Sequence, residues 1–366
     1  MLFQSADFVI FFFFSVLVFR FLPGKFRRNW LLLCSLFFYL GFDVRFLLVL
    51  APVIGIGFLS GLWMEHAKNP SARKRCFAFS VVLLVLILVV FKYTGFLLEN
   101  VNALLTALGQ KPIASGFSLI LPIGISFYLF QTIGYLADVF RGKISAERSL
   151  PDYALFISFF PQITSGPISR YEELASLFSS RRSFSYENLT RGSQRILWGF
   201  FKKLVISERA AVPVNTIFGN YGLYNGFYIP VAAILFAFQL YCDFSGCMDI
   251  VIGMAEVLGI TLPDNFTSPF FSRSMTEFWR RWHITLGTWC KDYVFYPIQK
   301  SELFYRIREK SIRRFGRKKG KKVPMYLAMF LMWFVVGFWH GGFLKYIIGS
   351  GLLHFCYIFL EQEGAP

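Results

Sequence analysis

Residues 76–98 form an almost purely apolar run, long enough to cross a bilayer as a helix, and comparable runs recur along the chain. A bilayer interior offers no water to satisfy backbone N–H and C=O groups, so such runs must satisfy them internally. Their length selects α-helices over barrel strands. Composition agrees. The 366 residues are 55% hydrophobic and 20% aromatic, with 47 Phe, but only 16% charged. A soluble domain carries about 25% charged residues. The expected fold is all-α: a polytopic integral membrane protein with about 9–11 membrane segments, re-entrant or interfacial helices among them. The first apolar run, 8–22, lacks a basic leader and a small-residue cleavage site, so it reads as a retained segment.

The net charge of +17 does not point to nucleic acid. Lys and Arg gather in short stretches between apolar runs, as they do on the cytoplasmic side of membrane proteins. Arg20, Lys25, Arg27 and Arg28 follow the first run. Lys68, Arg73, Lys74 and Arg75 follow the third, and Arg141, Lys143 and Arg148 a later one. This alternation places the N-terminus outside and the 65–75 stretch in the cytoplasm. The six cysteines are scattered and mostly within apolar runs, without metal-ligand spacing, so they read as buried free thiols. No metal and no bound cofactor are expected.

The middle is less regular. Residues 153–167 are apolar but short, and Pro161, Gly166 and Pro167 interrupt them, which suits a re-entrant hairpin. Residues 174–194, with Arg181, Arg182 and Arg191, read as a polar surface stretch. Lys202 and Lys203 snorkel or line a polar interior. Residues 278–298 mix aromatic and basic side chains, as interfacial or re-entrant helix pairs do. Residues 299–323 form the longest polar stretch, read as a basic cytoplasmic loop. It either touches anionic lipid or guides an anionic donor such as a CoA thioester or an acidic carrier protein. No internal repeat of the kind found in transporters is visible.

Two of the four histidines are framed by tryptophan: Trp282-His283, and Trp339-His340 at the end of an apolar run. Ionisable groups at membrane depth are costly and mark function. A neutral imidazole can take a proton at ambient pH, the task of a general base. His340 is therefore the first candidate for catalysis, with a packed core histidine as the alternative. His283 reads as an essential supporting group, with a direct catalytic role or a structural hydrogen bond as the alternatives. His66 reads as solvated and His354 as structural. Asp243 either pairs with a buried cation or forms a polar wall for an acceptor. Arg280 and Arg281 either hold donor phosphates or anchor their helix.

Ordered along the chain stand Phe91-Lys92-Tyr93, Leu121-Pro122-Ile123-Gly124, Phe159-Phe160-Pro161-Gln162, Tyr241-Cys242-Asp243-Phe244-Ser245-Gly246 and Leu262-Pro263-Asp264-Asn265-Phe266. Glu277-Phe278-Trp279-Arg280-Arg281-Trp282-His283 and Phe338-Trp339-His340-Gly341 complete the set. Together they resemble the membrane-bound O-acyltransferase (MBOAT) family, in the bacterial branch that modifies alginate and teichoic acids. The resemblance implies one MBOAT-like membrane domain over 1–366, a ring of helices around a central tunnel, shortened at its C-terminus. It implies His340 as the catalytic histidine and His283 as the second signature histidine, with Arg280, Arg281, Trp282, Trp339 and Asp243 around substrate or donor. It implies O-acylation, first of all O-acetylation, of an envelope glycan from acetyl-CoA or another acyl thioester. D-alanyl transfer to teichoic acid from a carrier protein is the second reading. The implied partners are the acyl donor, membrane lipid and an SGNH-hydrolase-like extracytoplasmic protein, and the implied location is a bacterial cell membrane. A transporter or flippase, or an inactive scaffold, is the reading from another class.

Overall fold

The computed structural model describes residues 2–113, 120–179 and 185–364. Arg181 and Arg182, within the polar stretch 174–194, lie outside the described residues. Among the described residues the chain is helical without a strand, and Phe266 and Trp282 form an isolated antiparallel bridge. Among the described residues five helices are long and apolar enough to cross a membrane: Val44–His66, Pro70–Ala107, Tyr228–Val257, Glu302–Gly341 and Leu344–Gly364. Shorter apolar helices, Ala6–Phe21, Gly24–Leu40 and Ile125–Arg141, add to them. Large apolar side chains such as Phe13, Leu48 and Phe79 face outward, while Ser15, Ser35 and Thr132 are buried. That inversion is what lipid as solvent selects. The chain is an all-α multi-pass membrane protein.

The chain divides into two compact units, each drawn from two separated stretches. The first comprises Met1–Cys76 and Ile123–Asn265. Its tightest packing is between helices Tyr186–Phe200 and Tyr228–Val257. A Cβ on Gly192 would lie 2.6 Å from the Gly253 carbonyl, and one on Gly199 would lie 2.6 Å from the Gly246 carbonyl. The pairing 192 with 253 and 199 with 246 makes the helices antiparallel. The seven-residue spacing on each side repeats the contact after two turns. Small residues that let backbones touch replace the hydrophobic drive that lipid cannot supply.

In the same unit the 153–167 run becomes helix Leu150–Ser158 followed by turns. Tyr153, Phe156, Phe159 and Phe160 are fully buried. Non-helical backbone is thus covered by protein, the condition under which it is tolerated at membrane depth. Gly166 N donates to the Gln162 carbonyl at 2.8 Å, and Ser169 Oγ donates to Gln162 Oε1 at 3.1 Å. Gly124 (φ 76°) faces this turn, and a Cβ there would sit 1.9 Å from the Ile163 carbonyl oxygen. Only glycine satisfies both the left-handed backbone and the contact.

The second unit comprises Phe77–Pro122 and Phe266–Pro366. Here the 299–323 stretch differs from its reading as a loop. It is helical, and the Glu302–Gly341 helix is broken only at Gly316 (φ 76°, ψ 167°). The arms fold back on each other, because a Cβ on Gly320 would lie 2.5 Å from Ile312 Cα. Ser301 caps the first arm, and Glu302 pairs with Arg306 one turn on at 2.5 Å. Lys and Arg are good helix formers, so charge without apolar periodicity disguised two helices as a loop.

Candidate functional site

The site's frame starts at Ser274, whose hydroxyl accepts from Glu277 N at 3.0 Å and opens the helix Met275–Arg281. Glu277 accepts from Arg273 N at 2.8 Å and pairs with Arg281 at 2.5 Å. The Arg273 backbone N–H, with Arg281 and Arg273 beside it, holds the Glu277 carboxyl below the usual carboxylate range. A second carboxylate, Glu361, accepts from Thr276 N at 3.0 Å and Thr276 Oγ1 at 2.9 Å. The short helix is therefore tied down at its first turn from two sides.

At its other end the chain leaves the helix in extended form at Trp282. That residue bridges to Phe266, and Thr267 N donates to the Arg281 carbonyl at 3.0 Å. The Trp282 ring stacks on Phe278 at 5.6 Å and meets Phe266 edge-on at 5.0 Å. The next residue, His283, takes left-handed backbone (φ 46°, ψ 51°) and opens helix Ile284–Cys290. Histidine enters this region more readily than most side chains, but at a cost of roughly 1–3 kcal/mol. Such strain clusters at functional positions. The imidazole is 7% exposed. Burial, with His340 adding to it, pushes the His283 pKa down to about 3, so the ring is uncharged at neutral pH.

His340 lies one residue before the end of the Glu302–Gly341 helix. Unlike His283, its side chain is exposed at the protein surface. The Trp339 ring lies 4.8 Å away between centroids. Gly342 (φ 73°) stops the helix, and its N–H donates to the Phe338 carbonyl at 2.9 Å. A second clamp comes from the helix Pro70–Ala107. Tyr93 OH donates to the Phe338 carbonyl at 2.9 Å and the Trp339 carbonyl at 3.3 Å. The Lys92 ammonium donates to the Trp339 carbonyl and lies 4.8 Å from the Trp339 ring centroid.

His354 sits between Trp279 (4.6 Å) and Trp333 (5.5 Å), whose rings are 4.8 Å apart. Trp279 Nε1, Trp333 Nε1 and His354 Nδ1 are buried without a hydrogen-bond partner. Buried polar groups are rarely left so, and an oxygen-bearing ligand or water would satisfy them.

Of the residues singled out from sequence, His283, His340, Trp282, Trp339, Arg280 and Arg281 all fall in the second unit. Arg281 is committed to Glu277, while Arg280 is exposed. Asp243 belongs to the first unit, where it pairs with Lys203. Beside it stands a network the sequence reading missed. Asp249 accepts from Lys202 at 2.5 Å and from Arg195 at 3.0 Å, and Arg195 also pairs with Asp264. Lys92, which reaches the last turn of the His340 helix, was not singled out from sequence either. Lys92 carried a usable signal, being the lone charge between Arg75 and Glu99.

The family model described as MBOAT, membrane-bound O-acyltransferase family, matches residues 139–308. The chain is 34% identical over 364 residues to the probable alginate O-acetylase AlgI of Pseudomonas putida, covering 99% of this chain and 71% of that one. It is 32% identical over 356 residues to the peptidoglycan O-acetyltransferase of Helicobacter pylori, covering 90% of this chain and 63% of that one. It is 30% identical over 262 residues to the teichoic acid D-alanyltransferase of Bacillus subtilis, covering 67% and 61%. The chain spans about two thirds of the length of the alginate relatives it matches, 66% in three of them.

Proposed function

The chain belongs to the membrane-bound O-acyltransferase family, and on that premise we propose that it transfers an acyl group to a hydroxyl of a bacterial envelope glycan, with His340 as general base. The observation carrying this reading is an exposed imidazole at the end of an apolar helix, in the same unit as a buried, uncharged imidazole at His283. Acyl transfer needs a group that takes a proton and a setting that favours a developing negative oxygen. His340 takes the hydroxyl proton. The hydroxyl oxygen attacks the thioester carbonyl carbon, the carbon–sulfur bond breaks, and the imidazolium returns the proton to the departing sulfur. His283, held in one orientation by its strained backbone, supports the donor or the tunnel wall. Arg280 receives donor phosphate, the role a bidentate guanidinium suits.

Acetyl is the preferred acyl group and acetyl-CoA the preferred donor, because the alginate-type match spans 99% of the chain and the D-alanyl match 67%. The route runs from a cytoplasmic donor, past the basic helical hairpin, through a tunnel to an outer acceptor. An SGNH-hydrolase-like extracytoplasmic protein would complete delivery onto the glycan. The protein resides in the bacterial cell membrane. Mass spectrometry of envelope glycans from cells with the wild-type gene, without it, and with His340→Ala tests the reading. Wild type should restore O-acyl groups and His340→Ala should not, at equal protein level in the membrane. Restoration by His340→Ala refutes the base assignment. Transfer that requires a carrier-protein thioester would replace acetyl by D-alanyl.

A further inference from the structure

Lys92 stands inside an apolar span, where a cation is expensive and marks function. Among the described residues no carboxylate pairs with it. Its setting is built rather than accidental. The π-helical stretch Val89–Tyr93 inserts an extra residue into the turn, and this stretch brings Lys92 and Tyr93 to the last turn of the His340 helix. π-bulges of this kind recur at functional sites. The Tyr93 ring stacks on Phe338 at 4.7 Å, and a Cβ on Gly342 would touch the Tyr93 ring at 3.0 Å, so the clamp is tight. An ammonium has three N–H donors. One goes to the Trp339 carbonyl, leaving two without a protein acceptor among the described residues, beside His340.

We propose that Lys92 is a catalytic residue that stabilises the oxyanion formed during acyl transfer at His340, a role that rests on the acyltransferase reading above. As the deprotonated hydroxyl oxygen bonds to the thioester carbon, the carbonyl π pair moves to its oxygen. That alkoxide meets the two remaining Lys92 N–H groups. Collapse restores the carbonyl, expels the thiolate and returns the His340 proton to sulfur. A preorganised charge in a water-poor setting acts strongly at this step because it needs no reorganisation. The Trp339 carbonyl keeps the ammonium in place between turnovers.

The test compares Lys92→Gln, Lys92→Arg and His340→Ala in isolated membranes holding the full protein, with acyl transfer to endogenous glycan as readout. Radiolabelled acetyl-CoA and a D-alanyl carrier-protein thioester both serve as donor probes. Gln keeps a donor for the Trp339 carbonyl but removes the charge. Lys92→Gln should lower turnover at saturating donor about 10²–10³-fold with donor KM little changed, while Lys92→Arg retains most of it. Turnover within about threefold of wild type for Lys92→Gln overturns the proposal. If Lys92→Gln fails to accumulate, Lys92→Arg decides: loss as deep as that of His340→Ala, at normal membrane level, overturns it. A dead His340→Ala with an active Lys92→Gln removes only the lysine role. An active His340→Ala removes the base reading itself.

Discussion

Replacing His283 by Asn should make the protein less sensitive to acid. Asn tolerates left-handed backbone and keeps a polar head, so the substitution removes a titrating group with the least change in shape. Burial depresses the His283 pKa from 6.5 to about 3. Between those values the unfolded chain binds a proton that the folded protein refuses. Stability then rises with pH, because the unfolded state holds more protons. The contribution is neutral above pH 6.5 and becomes a penalty as pH falls toward 3. One pKa unit corresponds to about 1.4 kcal/mol. From pH 7 to pH 5 the folded state should therefore lose about 2 kcal/mol through this residue alone. Thermal unfolding of wild type and His283→Asn, in the same detergent at pH 7 and pH 5, measures the difference. The wild-type midpoint should fall further, by several degrees. Equal falls would show that the imidazole is not held neutral by burial, and the account of His283 as a buried, uncharged group would fail.

The helix pair at Gly192, Gly199, Gly246 and Gly253 gives a sharper structural test. Gly199→Val or Gly253→Val should cost about 1–3 kcal/mol or more by driving a side chain into a carbonyl, whereas Gly219→Ala, in open space, should leave the unfolding midpoint unchanged. Gly124→Ala should prevent accumulation of folded protein, read as membrane level by immunoblot, since it meets both the left-handed backbone and the Ile163 carbonyl. Arg280→Ala should raise the KM for acyl donor with stability intact, while Arg281→Ala, which breaks the pair with Glu277, should lower the unfolding midpoint instead. Cysteine labelling of intact cells with an impermeant reagent should miss positions in the 65–75 and 299–323 stretches, where basic residues mark the cytoplasmic side.

The fold class was legible, and His283 and His340 stood out as candidates, because each depends on residue type alone. Long apolar runs admit few solutions in a membrane, and an imidazole at the end of one stands out whatever surrounds it. What stayed hidden depended on pairing across the chain. Asp249 looks like any carboxylate near a helix end until Lys202 and Arg195, about fifty positions earlier, close on it. Gly192 and Gly253 look like helix-weakening residues until each is seen to face the other's carbonyl. The basic stretch at 299–323 was misread for a different reason. It has helix-forming residues but no apolar stripe, and periodicity is silent where so few apolar side chains are buried.

Lys92 has one further cause of invisibility. Among the described residues, π-helical turns occur at Val89–Tyr93, Phe201–Ser207, Lys291–Phe295 and Ile348–Leu352. The first three contain Lys92, Lys202 with Lys203, and Lys291, and the fourth ends two residues before His354. A π turn adds a residue to the ring closed by each hydrogen bond and so rotates every side chain after it relative to those before. A helical wheel of period 3.6 assigns such residues to the wrong face. In a soluble protein that error would misplace a surface charge at little cost. At membrane depth it decides whether a cation meets lipid or meets a partner, so selection for buried cations favours the turn that re-aims them. Lys202 with Asp249, Lys203 with Asp243, and Lys92 with the Trp339 carbonyl are three outcomes of that one device. Lys202 and Lys203 are neutralised by their carboxylates. Lys92 alone among these three keeps its charge uncompensated, and it does so beside the histidine where acyl transfer would develop negative charge.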